Sequence, residues 1–301
     1  MREKDSSEKL LEDYDDVFAD VMNVIIFGGE RRVKPGALRD LPTHSQYKAD
    51  DSKLHEQERD IAKLWNEGNV ELAICGVENQ TKIEKCMPLR VIGYDGASYR
   101  SQLIAKRSKP VPVVTLVLYF GTDRKWTQPM SLKEVLNIPD GMEGYVNDYR
   151  IHVVNVAWLP SETIEKFQSD FRVVANFFSE KRKNADYIPD DTQVIKHVDE
   201  VLKLLSVMTG DNVYQEVLLS DDRKGVNTMC DVAERLVNKG RTEGRLEGRL
   251  EGRLEGQLEG EKRLARLMNV LLSAGRTDDA QKAASDEEAR KKFYREFGII
   301  D

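Results

Sequence analysis

Val113 to Leu118 reads Val-Val-Thr-Leu-Val-Leu, apolar or β-branched at every position. A strand sends successive side chains to opposite faces, so a run of this kind has to be covered on both. Val111 to Gly121 therefore predicts a central strand, and a mixed sheet with helices on both faces follows. Asp60 to Trp65 and Val70 to Val77 read as two further strands, joined by the turn signal Asn66-Glu67-Gly68-Asn69. Arg150 to Leu159 reads as an edge strand. Leu10 to Phe27 is helix-like, with Val17, Val21, Val24 and Ile25 at helical spacing and Gly28-Gly29 ending it. Gly29 to Glu58 is a polar connector with a short strand around Leu38 to Pro42. Met87 to Arg107 is a helix opened by Pro88, with a kink or close approach expected at Gly93 and Gly96. Ser131 to Leu136 reads as a short helix. Ser161 is the expected cap of a helix over Glu162 to Glu180, and helices over Val194 to Met208 and Tyr214 to Leu219 follow.

The strand from Val70 runs into Glu78-Asn79-Gln80-Thr81. Glu78 and Gln80 share a face with Val70, Leu72, Ile74 and Gly76. A carboxylate and an amide at the tip of an apolar strand are costly to bury without partners, and a hydrated divalent cation is one partner that suits them. If Asn66 pairs with Val70, Asp60 falls opposite Gly76, on the Glu78 face and diagonal to Glu78. Such neighbours lie about 7–8 Å apart at Cα, close enough to share an ion. A one-residue slip would send Asp60 to the other face. A solvated or capping role for these acidic residues is the alternative.

The layout Arg59-Asp60 with Trp65, the hairpin, ELAICGVENQT, MPLRVIGYDGASYRSQL and VPVVTLVLYFG resembles the Rpn family of recombination-promoting nucleases, whose members are also called putative transposases. The likeness runs from Tyr14 to the C-terminal helices. The family belongs to the PD-(D/E)xK nuclease superfamily, and the resemblance implies an α/β fold with a restriction-endonuclease-like mixed sheet. It implies a Mg²⁺-dependent DNA endonuclease with Asp60 and Glu78 as metal ligands, the Asn79 backbone carbonyl as a third, and Asp60, Glu78 and Gln80 as the catalytic set. Gln80 stands where the superfamily has Lys, as it often does in Rpn-like sequences, and an amide cannot supply that positive charge. Asp15 matches an Asp-x-x-Phe pattern on the first helix and is a candidate further ligand; a favourable contact with the helix dipole is its other reading. On the helix after the strand, Arg90 and Tyr94 lie four apart. Arg90 is a candidate phosphate contact and Tyr94 a packing or hydrogen-bonding partner of the site. A partly exposed Arg90 packed on the sheet is the alternative.

The 301-residue chain carries a net charge of −7, which runs against a general affinity for phosphate. DNA contact therefore needs a local basic face. Arg100, Lys106, Arg107 and Lys109 form one candidate, and Arg31, Arg32 and Lys34 another, with solvated charge as the plain alternative for each. Cys75, Cys86 and Cys230 form no CxxC pair, and the four histidines show no ligand spacing. No run is long enough to span a membrane, and the first residues lack a signal-like apolar core, so a reducing, cytoplasmic setting is expected.

Arg241 to Gly260 repeats RTEG, RLEG, RLEG, RLEG, QLEG. On a helix each Leu is displaced by about 40° from the last, so the stripe wraps, and each Gly costs about 1 kcal/mol relative to Ala. Such a helix needs a partner, which points to a coiled-coil-like homo-oligomer; a flexible spacer is the alternative. Glu261 to Ala274 is amphipathic, and two short helices follow over Thr277 to Ser285 and Asp286 to Phe297. The expected organisation is a nuclease-like core over 1–160, a helical extension over 161–240, the repeat over 241–260 and a small helical module over 261–301. A nuclease fold that has lost activity and serves as a DNA-binding or self-associating scaffold is the alternative function; intact Asp60 and Glu78 oppose it.

Overall fold

The computed structural model describes residues 10–48, 54–106, 109–219 and 225–299. It divides into two units, residues 1–235 and 236–301.

The first unit is built on a five-stranded mixed sheet. Its strands are β1 (Leu38–Asp40), β4 (Ile61–Glu67), β5 (Val70–Gln80), β6 (Val113–Tyr119) and β7 (His152–Asn155), in the spatial order β1-β4-β5-β6-β7. The pairs β1–β4 and β4–β5 are antiparallel, and β5–β6 and β6–β7 are parallel. The β5 to β6 crossover is made by α2 (Met87–Ile104). The polar connector carries more than one short strand: β2 (His44–Lys48) and β3 (Leu54–Glu58) form a separate two-stranded sheet.

The predicted first helix is broken. A single 3-10 turn, Leu11–Asp13, precedes α1 (Asp15–Ile25), and Tyr14 between them is extended. Val17, Phe18, Val21 and Met22 of α1 are fully buried. Tyr14 stacks on His197, which fixes the chain direction at the break. At the start of α2, Met87 and Val91 pack into a cluster with Val117, Tyr119, Trp126 and Ile151. That packing sets the first turn of α2 against β6. The helix runs unbroken through Gly93 and Gly96, and a Cβ at Gly96 would meet only open space.

Two further expectations are corrected. Ser131 to Leu136 is no helix; Ser131 bridges Arg150 and the next residues form turns. The helix expected over Glu162 to Glu180 is two, α3 (Ser161–Ile164) and α4 (Phe171–Lys183), and Pro160, not Ser161, is the N-cap of α3. The break is held by Asp20 of α1, whose carboxylate accepts from the Gln168 and Ser169 backbone N–H groups at 2.8 and 2.7 Å. Helices α5 (Val198–Thr209) and α6 (Val213–Leu219) complete this part.

The long helix α7 (Met229–Ser273) carries the repeat as continuous helix. Leu246, Leu250, Leu254 and Leu258 are 53–61% exposed on it. In the second unit Leu267 and Leu271 pack with Ala280 and Ala283 of α8 (Thr277–Ser285) and Phe293 of α9 (Glu287–Glu296). Asp286 caps α9 by accepting from the Glu288 and Ala289 N–H groups. Leu272, next to the buried Leu271 in this amphipathic stretch, is 54% exposed.

Candidate active site

The hairpin register decides the site. Ile61 pairs with Val77 and Ala62 with Gly76, so the ladder carries Asp60 level with Glu78 and not with Gly76. The shift has two sources. Glu67, not Asn66, pairs with Val70, and a bulge at the Trp65–Asn66 step leaves Leu72 as the extra residue on β5. Together they move the register by two residues, which preserves the face. Asp60, just before β4, accepts from the Asn79 backbone N–H at 2.8 Å. In a strand the carbonyl of a residue leaves on the same side as its N–H, so the Asn79 carbonyl also points toward the Asp60 side.

Glu78 is 1% exposed. Its Oε1 accepts from Arg90 and, at 3.2 Å, from the Gln80 amide, while Oε2 is buried without a hydrogen-bond partner. Burial, reinforced by the Asp60 charge, pushes its carboxyl up to about 7 against the opposing pull of Arg90. Arg90 is also bonded to the Tyr94 hydroxyl, through Nη2 at 2.9 Å and Nε at 3.2 Å. The i, i+4 pair thus forms a wall over Glu78.

Glu12 was not expected here. It lies in the 3-10 turn, is wholly buried, and neither carboxylate oxygen has a hydrogen-bond partner. Burial pushes it up to about 7, with the Asp60 charge adding to the rise and the neighbouring Asn79 amide opposing it. Both side-chain polar atoms of Asn79 are also buried and unpartnered. An acidic residue beside the buried Leu11, just ahead of the helix, was the available signal. Reading Leu10 to Phe27 as one helix obscured it.

Asp15, by contrast, is taken up structurally. It accepts at 2.8 Å from Lys63, a buried β4 lysine that also pairs with Asp40. The structure brings Asp60, Glu78, Gln80, Arg90 and Tyr94 together, and places Glu12 rather than Asp15 next to Asn79. Arg100 and Lys106 lie elsewhere: Arg100 is about 15 Å along α2 from Arg90, and the helix runs back toward the start of β6, away from the end of β5. Arg107 falls outside the described residues. Arg31 is spent on Asp20 and the Lys166 carbonyl.

Arg59 is a further residue missed. The space over Gly76 is filled by its side chain, with which a Cβ at 76 would overlap. Arg59 is 3% exposed and pairs with Asp95 at 3.2 Å. Asp95 also accepts from Thr115 at 2.6 Å and from Tyr149. This buried network ties Arg59, between β3 and β4, to α2, β6 and the Tyr149 loop.

Unpartnered buried carboxylate oxygens on Glu78 and Glu12 suit a divalent cation, because oxygen donors of this kind otherwise lose their hydration without return. Among the described residues no three His, Cys, Asp or Glu side chains cluster closely enough to hold a metal by themselves. Any cation here therefore also needs the Asn79 carbonyl, solvent or substrate oxygens.

Residues 62–208 match the family model described as putative transposase, YhgA-like. This segment belongs to that family. The YhgA-like segment contains Glu78, Gln80, Arg90, Tyr94 and the Arg59 partner Asp95, whereas Asp60 and Glu12 precede it. The family is described as one of transposase-type proteins. The chain matches no curated protein and no solved structure. No helix among the described residues is long and apolar enough to cross a membrane.

Proposed function

We propose that this chain is a Mg²⁺-dependent DNA endonuclease of the recombination-promoting type. The observation that carries the reading is the buried, half-satisfied Glu78 carboxylate level with Asp60 at the end of β5. Asp60, Glu78 and the Asn79 carbonyl would hold the ion, with Glu12 in place of Asp15 as a further acidic contributor. When bound, Mg²⁺ lowers the pKa of a coordinated water and neutralises charge at a scissile phosphate.

The chain's own groups supply the rest. Gln80 bonds to Glu78 and can orient a water by its amide without adding charge. Arg90 supplies the local cation that Gln80 lacks, and Tyr94 fixes its guanidinium through two hydrogen bonds. Arg90 is 40% exposed, so it reaches a phosphate at the mouth of the site without being desolvated first. The long helix α7 is proposed to self-associate through its leucine stripe.

The inactive-scaffold reading has one observation in its favour: one oxygen of Glu78 is already taken up by Arg90. Supercoiled plasmid incubated with wild type, Asp60→Ala and Glu78→Ala proteins, with Mg²⁺ or with EDTA, separates the two. Nicking by wild type in Mg²⁺ alone, lost in both folded variants, is the expected result. No nicking by wild type supports the scaffold, and Mg²⁺-dependent nicking that persists in both folded variants overturns the site.

A further inference from the structure

A second polar surface lies at the same end of the sheet and plays no part in the chemistry above. The loops that leave the carboxyl ends of the parallel strands β5 and β6 run side by side, since the Phe120 N–H donates to the Gln80 carbonyl at 2.9 Å. The first loop carries Lys82 and Lys85, and the second carries Arg124 and Lys125. All four are exposed, and none makes an ion pair among the described residues. Lys85, Arg124 and Lys125 line an open cleft of about 820 Å³ between the loops.

The second loop is held by a built anchor. Tyr119 donates its hydroxyl to the Arg124 carbonyl at 3.1 Å. Trp126 is 1% exposed, its N–H donates to Asn155 Oδ1 at 2.7 Å, and its indole N–H donates to the Pro129 carbonyl at 3.1 Å. Tyr119 and Trp126 pack edge to face, 5.4 Å apart. Arg124 and Lys125 are thereby fixed within two residues of a rigid point. Glu134, which also lines the cleft, accepts from the Met130 N–H, and Glu84 accepts from the Cys86 N–H, which fixes both carboxylates without removing their charge. Asp123 is exposed and stays as a local negative charge.

Four cations without an ion pair stand against the carboxylates of Glu84, Asp123 and Glu134, a slight local excess of positive charge on a chain of net charge −7. They are spread along two loops flanking an open trough, which suits the repeating charge of a phosphodiester backbone. The first loop begins at Thr81, directly after Gln80, so the track and the candidate site share the carboxyl end of β5.

We propose that Lys82, Lys85, Arg124 and Lys125 form the DNA-backbone track of this protein, which leads the strand to Asp60 and Glu78. The inference rests on the DNA-directed reading above. Its test is binding, not cleavage. A fluorescein-labelled 30-base-pair duplex is titrated with full-length protein in EDTA at several salt concentrations. The proteins compared are wild type, the triple variant Lys85→Ala, Arg124→Ala, Lys125→Ala, and the control Lys282→Ala, Lys292→Ala, which removes two exposed cations of α8 and α9, with circular dichroism to establish folding.

Each lost phosphate contact flattens the slope of log affinity against log salt by about 0.9. The triple variant should therefore lose about 2 to 3 from the slope and about tenfold or more in affinity, with the control unchanged. A folded triple variant that binds with wild-type slope and affinity overturns the track and leaves the endonuclease reading standing. Wild-type protein that shows no salt-dependent binding overturns both. Salt-dependent binding without Mg²⁺-dependent nicking removes the endonuclease reading and leaves the track.

Discussion

Replacing Glu12 by Gln should make the protein more stable at neutral pH, and the size of the effect follows from its burial. The carboxyl is wholly buried, makes no hydrogen bond through either oxygen, and is pushed from 4.5 to about 7. Below pH 4.5 it is protonated in folded and unfolded chains alike and contributes no pH dependence. Between 4.5 and about 7 the unfolded chain releases the proton while the folded chain keeps it, so stability falls as pH rises. Above about 7 the folded carboxyl ionises as well, and the loss levels off at about 3 kcal/mol. Glutamine keeps the shape and cannot ionise. Urea unfolding at pH 4.5 and pH 8 measures this, followed by tryptophan fluorescence, since Trp65, Trp126 and Trp158 all lie in the first unit. From pH 4.5 to pH 8 wild type should lose about 3 kcal/mol more than Glu12→Gln. Glu78 titrates in both proteins and cancels in the comparison. Adding Mg²⁺ at pH 8 should raise the wild-type midpoint more than that of the variant if Glu12 helps to hold the ion. Parallel pH curves for the two proteins would refute the buried, unpartnered carboxyl.

Other outcomes test other parts of the structure. Gln80→Lys should keep or raise nicking activity, since it places a cation beside Glu78; complete loss in a folded variant would show that the amide makes a contact a cation cannot replace. Gly76→Ala should destabilise the first unit by about 1–3 kcal/mol, because the new Cβ overlaps Arg59, and this is read from the urea midpoint. An unchanged midpoint would mean that Arg59 does not lie over the strand. Deleting residues 241–301 should reduce self-association and leave the first unit folded, because four half-exposed leucines of α7 gain cover only against another helix, each worth about 1.5–3 kcal/mol when fully buried. Equal sedimentation of full-length and truncated chains, both monomeric, would leave the repeat as a spacer.

Local sequence was sufficient wherever a residue's role follows from its own strand or helix. The doubly apolar Val113 to Leu118 requires cover on both faces wherever it sits, so the flanked mixed sheet was legible from it. Alternation along β5 put Glu78 and Gln80 on one face, and helical spacing paired Arg90 with Tyr94. The face of Asp60 was legible for a less secure reason. The turn and the bulge together moved the register by two residues, and a shift of one would have reversed the result. Tertiary packing decided the rest. Asp15 and Glu12 are both acidic residues at the start of one amphipathic segment. Only the extended Tyr14 and the buried Lys63 assign the first to a structural ion pair and leave the second beside Asn79. Arg59 stands next to Asp60 in the chain, yet its role depends on a glycine, an aspartate and a tyrosine from three other segments. The basic loops after β5 and β6 are 39 residues apart between Lys85 and Arg124, and they become one surface only because parallel pairing aligns the two strand ends. Periodicity determines which face of an element is apolar. Which polar groups meet across elements is set by register and packing, and no short window of sequence contains either.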